Sequence, residues 1–203
     1  MVQEIIAGVA AVASLFVAVL AIWGEPIRRR FVGAKLRLRL LDPNGEPIDV
    51  AAGPARYYHV VVSNLRPHAI ATNAHVVMTK VKRATAQGQY PDTTLMHGLS
   101  APLPLIRQHQ DRLGARATIG PDANFDLVAV VKTKGAAIQL QFVPNNLDRS
   151  IQANTRTAIE LVAVCDQMQS DPLCVEIVWD GQFSLDTPTM AQHFLVKPMR
   201  RLP

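Results

Sequence analysis

Aromatic residues are scarce in this chain, at 5% of 203 residues, and only two cysteines are present. Two cysteines exclude a disulfide framework and a cysteine-rich structural zinc site. Charge is also thin: 18% of residues are charged and the net charge is +5. Arg28, Arg29 and Arg30 alone supply more than half of that excess. The rest of the chain is weakly basic and lacks the concentrated stripe of a nucleic-acid-binding domain. The sequence pI of ≈ 9.6 therefore reflects one local cluster. Catalytic signatures are missing too. Ser63 and Ser100 lie in no nucleophile elbow, no glycine-rich loop leads into a helix, and Asp122, Asp126 and Asp180 read as turn residues.

What the chain does have is an apolar beginning. From Ile5 to Trp23 there is no charged residue. As a helix this run is about 28 Å long, close to a hydrocarbon core of about 30 Å. Trp23 suits the headgroup region at its end. The leader MVQE holds Glu4 and no Lys or Arg, unlike the basic start of a signal peptide, so the run reads as an uncleaved anchor. Arg28, Arg29, Arg30, Lys35, Arg37 and Arg39 follow it. The positive-inside rule then puts the N-terminus outside and the remaining chain in the cytoplasm, at the inner membrane. Ala7 and Ala11, and Ser14 and Ala18, have the small-xxx-small spacing that lets helices approach closely, so they are candidates for self-association.

After residue 34 the apolar period drops to two. Leu36, Leu38 and Leu40 alternate with Arg37 and Arg39, which predicts a half-buried strand. Further strands are predicted over 55–64, 71–83, 102–108, 115–120, 125–132, 137–143, 157–166, 173–181 and the HFLVKPM segment. The segment 42–47, DPNGEP, reads as a turn, and TPTMAQ as one helical turn. Many short strands without a long amphipathic helix predict a mainly β domain, an antiparallel immunoglobulin-like sandwich. The expected organisation is an anchor over 1–24, a basic connector over 25–34 and a β-sandwich over 35–203.

Three segments carry a family resemblance: WGEPIRRR at the helix exit, the YYHVVVSN and ATNAHVVM strands, and IVWDGQF near the end. With them the chain resembles bacterial single-pass membrane proteins of unknown function that hold a cytosolic β-rich domain behind an N-terminal transmembrane helix. The resemblance covers most of the chain. It implies the architecture and no activity.

Among single residues, Tyr58 and Trp179 are expected in the core, with Tyr57, His59 and Val61 facing outward as a possible partner surface. If 55–64 and 71–83 pair as a hairpin with Asn64 opposite Thr72, His59 and His75 become diagonal neighbours on one face. They are weak metal candidates, because no third ligand accompanies them. Strand parity puts Cys165 on the core face and Cys174 on the other, against a disulfide. No cofactor is implied. The leading expectation is a membrane-held, non-enzymatic module that binds a protein partner or its own copies. The alternative is a small-ligand or metal sensor using the His59/His75 face.

Overall fold

The computed structural model describes residues 12–24, 33–66, 68–85, 87–91, 101–104, 117–119, 121–145 and 147–203. Residues 12–24 form a helix, α1, whose apolar side chains are exposed: Val12, Leu15, Phe16, Val17, Ile22 and Trp23 are each 59–69% exposed. The described helix is about 20 Å long at ~1.5 Å per residue. Among the described residues, no helix is long and apolar enough to cross a membrane. The full span expected from Ile5 is thus not supported by the described helix, and its first part, with Ala7 and Ala11, lies outside the described residues.

The remainder is mainly β, in two antiparallel sheets of six strands each. The first sheet holds β1 (Leu36–Leu40), β2 (Glu46–Val50), β3 (Gly53–Asn64), β7 (Asp122–Val131), β8 (Gly135–Ile138) and β9 (Ser150–Ile151). The second holds β4 (Ala71–Arg83), β5 (Ala101–Pro102), β6 (Ala117–Ile119), β10 (Thr155–Val164), β11 (Leu173–Trp179) and β12 (Phe194–Met199). A short helix, α2 (Thr187–His193), leads into β12. Asp186 caps it by accepting from the Thr189 N–H at 3.0 Å, and Pro188 sits in its first turn, where a missing N–H is harmless.

One hydrophobic cluster joins the sheets into a β-sandwich. Tyr58, Val60 and Val62 of β3 meet Met78, Ile159, Leu161 and Ile177 of the second sheet within it. The Tyr58 and Phe194 rings, from opposite sheets, lie 4.7 Å apart between centroids. Full burial of each such side chain stabilises the fold by about 1.5–3 kcal/mol. β1 shows how the sequence selects this packing. Leu36 and Leu38 are buried while Lys35, Arg37 and Arg39 are exposed, as the alternation predicts.

The strand pairing departs from the expected hairpin. β3 pairs with β1, β2 and β7, whereas β4 belongs to the other sheet and pairs with β10, β5 and β6. The connection after Asn64 therefore crosses between sheets. β1 and β2 lie one after the other along the same edge of β3, joined by a turn at Gly45. Gly45 has φ +68°, and a Cβ there would meet the Tyr57 carbonyl and the Tyr58 ring at 2.8 Å, so no other residue fits without rearrangement. Edges are guarded chemically: Pro47 sits in β2, while β12 carries Lys197 and Pro198, which discourage strand addition.

Candidate functional site

The structure separates two residues that the expected hairpin would have joined. His59 is on β3 and His75 is on β4, in different sheets, so they form no common face. His75 instead turns back on its own strand, with Nδ1 2.8 Å from the Asn73 carbonyl. Asn73 itself holds φ +53° and donates to the Asp166 carboxylate at 2.8 and 2.9 Å.

His59 keeps different company. The register between β3 and β7 shifts between Tyr58 and His59, leaving Leu127 as an extra residue on β7. A bulge of this kind re-aims neighbouring side chains. Here it sets His59 opposite Asp126, with Nδ1 2.9 Å from the carboxylate, while Nε2 lies 3.8 Å from the Glu46 carboxylate of β2. His59 is 8% and Asp126 1% exposed. Tyr57 stacks beside the imidazole at 6.3 Å, and burial, with the Asp126 charge, pushes its phenol above the usual tyrosine value. Val61 is 2% exposed. The outward face expected of Tyr57, His59 and Val61 is thus mostly covered. Part of the cover is near Pro104, whose carbonyl accepts from the Asp126 N–H at 3.0 Å. Among the described residues no group of three or more His, Cys, Asp or Glu could hold a metal ion.

A second histidine–carboxylate pair lies at an open site. His193, the last residue of α2, places Nδ1 2.7 Å from Asp180, which follows β11. Burial pushes the Asp180 carboxyl up, but the Gln182 N–H and His193 outweigh it and hold the group below the usual carboxylate range. Beside the pair is a pocket of about 340 Å³, lined by Arg156, Trp179 and Leu195 among others. Leu195 is 42% exposed, and Trp179 donates its indole N–H to the Gln182 carbonyl at 3.0 Å. Sequence reading missed this site, because Asp180-Gly181 signals a turn and nothing in the order of residues links it to His193.

Two more polar groups are buried. Arg56 is fully buried and donates to the carbonyls of Asn44 at 2.9 Å, Gly45 at 3.0 Å and Leu185 at 2.6 Å, and to the Thr187 hydroxyl at 3.2 Å. It ties the β1–β2 turn to the segment before α2. Glu176, on β11, is 4% exposed and lies 2.7 Å from Lys197 of β12. It also accepts from the Tyr90 hydroxyl at 2.8 Å. Both groups are structural ties and neither opens onto the pocket's lining.

The cysteines are free thiols, both buried. Cys174 stands opposite Glu160 in the β10–β11 ladder, while Cys165 belongs to the hydrophobic cluster beyond the end of β10. The remaining sequence candidates gather at the chain's entry. Trp23, Ser14 and Ala18 are on α1 and exposed, and Lys35, Arg37 and Arg39 flank or lie on β1. Arg28, Arg29 and Arg30 lie outside the described residues. No family model, curated protein or solved structure matches the chain.

Proposed function

We propose that this protein is a membrane-anchored, non-enzymatic interaction module. An N-terminal helix holds an immunoglobulin-like β-sandwich at the cytoplasmic face of the inner membrane, where it contacts a protein partner or a second copy. The observation that carries this reading is α1. Its apolar side chains, with Leu15, Phe16, Val17 and Ile22 each at least 65% exposed, are not buried by any face among the described residues. An apolar helix of this kind needs another apolar solvent. Arg28 to Arg30 after it support the inward orientation. Crossing of the chain between sheets after β3 supports the immunoglobulin-like kinship.

The edge prolines and basic residues disfavour self-association through strands, so contact between copies would run through the helix face of Ser14 and Ala18. Crosslinking in native membranes followed by affinity recovery of the full chain tests the module. Recovery of a defined protein, or of a dimer lost on Ser14→Leu plus Ala18→Leu, is the expected result. A chain that stays monomeric and partnerless in the membrane contradicts it.

One observation favours a second reading, a small-ligand accessory domain. The Asp180–His193 pocket combines the Arg156 cation, an imidazole oriented by a carboxylate, and the Trp179 ring. Its volume is at the lower end of small-molecule sites. Thermal shift against a panel of small organic anions, abolished by Arg156→Ala, tests it.

A further inference from the structure

The chain enters the first sheet at Gly33 to Lys35, and the segment after β3 is fastened to that entry. The Leu65 N–H donates to the Lys35 carbonyl at 2.8 Å, and the Arg66 guanidinium donates to the Gly33 carbonyl at 3.1 Å. The Asn64 side chain accepts from the Lys35 N–H at 3.2 Å and donates to the Ala69 carbonyl. These bonds hold the connection between β3 and β4 beside the point where the anchor's chain arrives.

That connection presents two apolar side chains that are each about half exposed. Leu65 is 48% and Ile70 59% exposed. Lys35 and Arg37 are exposed next to them, and His68 lies between them in sequence. Acidic groups at this end include Asp122, which pairs with Ser63 in the ladder, and Asp166 and the exposed Asp171 of the β10–β11 turn, where the Met168 sulfur accepts from the Leu36 N–H at 3.4 Å. Asp166 is engaged by Thr72 at 2.7 Å and by Asn73.

Chain length limits how far this end can stand from the helix. From Gly24 to Gly33 a fully extended chain covers at most about 30 Å. Arg28, Arg29 and Arg30 fall within that stretch and are drawn to anionic headgroups. An exposed Leu and Ile, flanked by Lys35 and Arg37, match the boundary between headgroups and acyl chains.

We propose that the β3–β4 connection, through Leu65 and Ile70, is a second membrane contact: a foot that rests in an anionic bilayer surface and fixes the tilt of the sandwich. It rests on the anchor reading and adds a defined face to it. The foot explains why apolar residues lie exposed at this end, and it turns the opposite end, with the β7–β8 turn at Lys132 to Lys134, towards partners.

The test uses the full chain in vesicles of phosphatidylcholine and phosphatidylglycerol with brominated acyl chains. A bimane probe is attached to Ile70→Cys in one sample and to Lys134→Cys, at the far end of β7, in another. Native thiols are buried, so labelling of the folded protein is confined to the introduced cysteine, and mass confirms it. The expected result is several-fold stronger quenching at position 70 than at 134, reduced by Leu65→Asp. Equal, weak quenching at both positions, in protein that resists alkaline extraction, overturns the foot and leaves the anchor standing. Release of the chain by alkaline extraction overturns both. Protection of position 70 without quenching assigns the face to a protein and overturns the lipid contact.

Discussion

His59 and Asp126 face each other across the β3–β7 ladder at 2.9 Å because Leu127 bulges out of it. Without that extra residue, strict alternation would set Asp126 out of step with the imidazole. The pair is nearly enclosed, so its effect belongs to stability. His59→Ala removes the imidazole from a buried carboxylate and is expected to lower the unfolding free energy by about 1–3 kcal/mol. Urea unfolding, with an unchanged slope, measures it. A loss within ~0.5 kcal/mol, the range of ordinary surface substitutions, would mean the pair contributes nothing.

Glu176 gives the fold a pH dependence. Burial raises its carboxyl's affinity for a proton, but hydrogen bonds from Lys197 and Tyr90 and the charges of Lys197 and Arg156 outweigh this, leaving the group below its usual value. A carboxyl depressed in the folded state binds protons more readily when unfolded. Its stabilisation is therefore fully present above the ordinary glutamate value of about 4.3 and is lost as pH falls through and below it. The difference in urea midpoint between wild type and Glu176→Gln should be largest near neutral pH and shrink below about pH 4. A difference that is constant with pH contradicts this.

Arg56 is the largest fully buried polar side chain among the described residues. Its donors satisfy three backbone carbonyls from two separated segments. Arg56→Met keeps most of the volume and leaves those carbonyls without their donor. The expected loss is about 3 kcal/mol or more. Thermal unfolding reads it. Unchanged stability would show that these carbonyls find other partners.

The thiols should be slow to react. Cys165 and Cys174 are 7% and 4% exposed, and burial, followed by the Glu160 charge, pushes the Cys174 thiol up. The thiolate is the reactive form, so alkylation of the native protein is expected to trail that of the unfolded protein by orders of magnitude. Non-reducing mass spectrometry should find both thiols free, because Cys174 stands opposite Glu160 in the ladder while Cys165 lies beyond the end of β10.

How much of this was readable beforehand depended on burial. β4 was legible to its ends, because 71–83 is rich in strand-forming residues between two turn signals. β1 was legible from leucine alternation. β2 was not: its Glu46, Pro47, Ile48 and Asp49 are all exposed, so no burial pattern marks it, and Pro47 argues for a turn. Sheet membership was not legible either. Adjacent strands suggest a hairpin, and only the three-dimensional crossing after Asn64 sends β4 to the other sheet. The Val60-Val61-Val62 run held a clue. Three consecutive apolar residues fit a strand covered on both faces, and all three are buried. Reading that run would have argued against a free Tyr57–His59 surface. The Asp180–His193 pair joins residues from different elements, and spacing carries no trace of it.

The anchor and its direction are the central proposal. Proteolysis of the full chain in sealed membrane vesicles of both orientations tests this most directly. An inward-facing anchor predicts that the protein sediments with membranes and that the sandwich is cut only in inverted vesicles, where the cytoplasmic face is outside. A sandwich recovered in the soluble fraction, or cut from the outside of right-side-out vesicles, would contradict it.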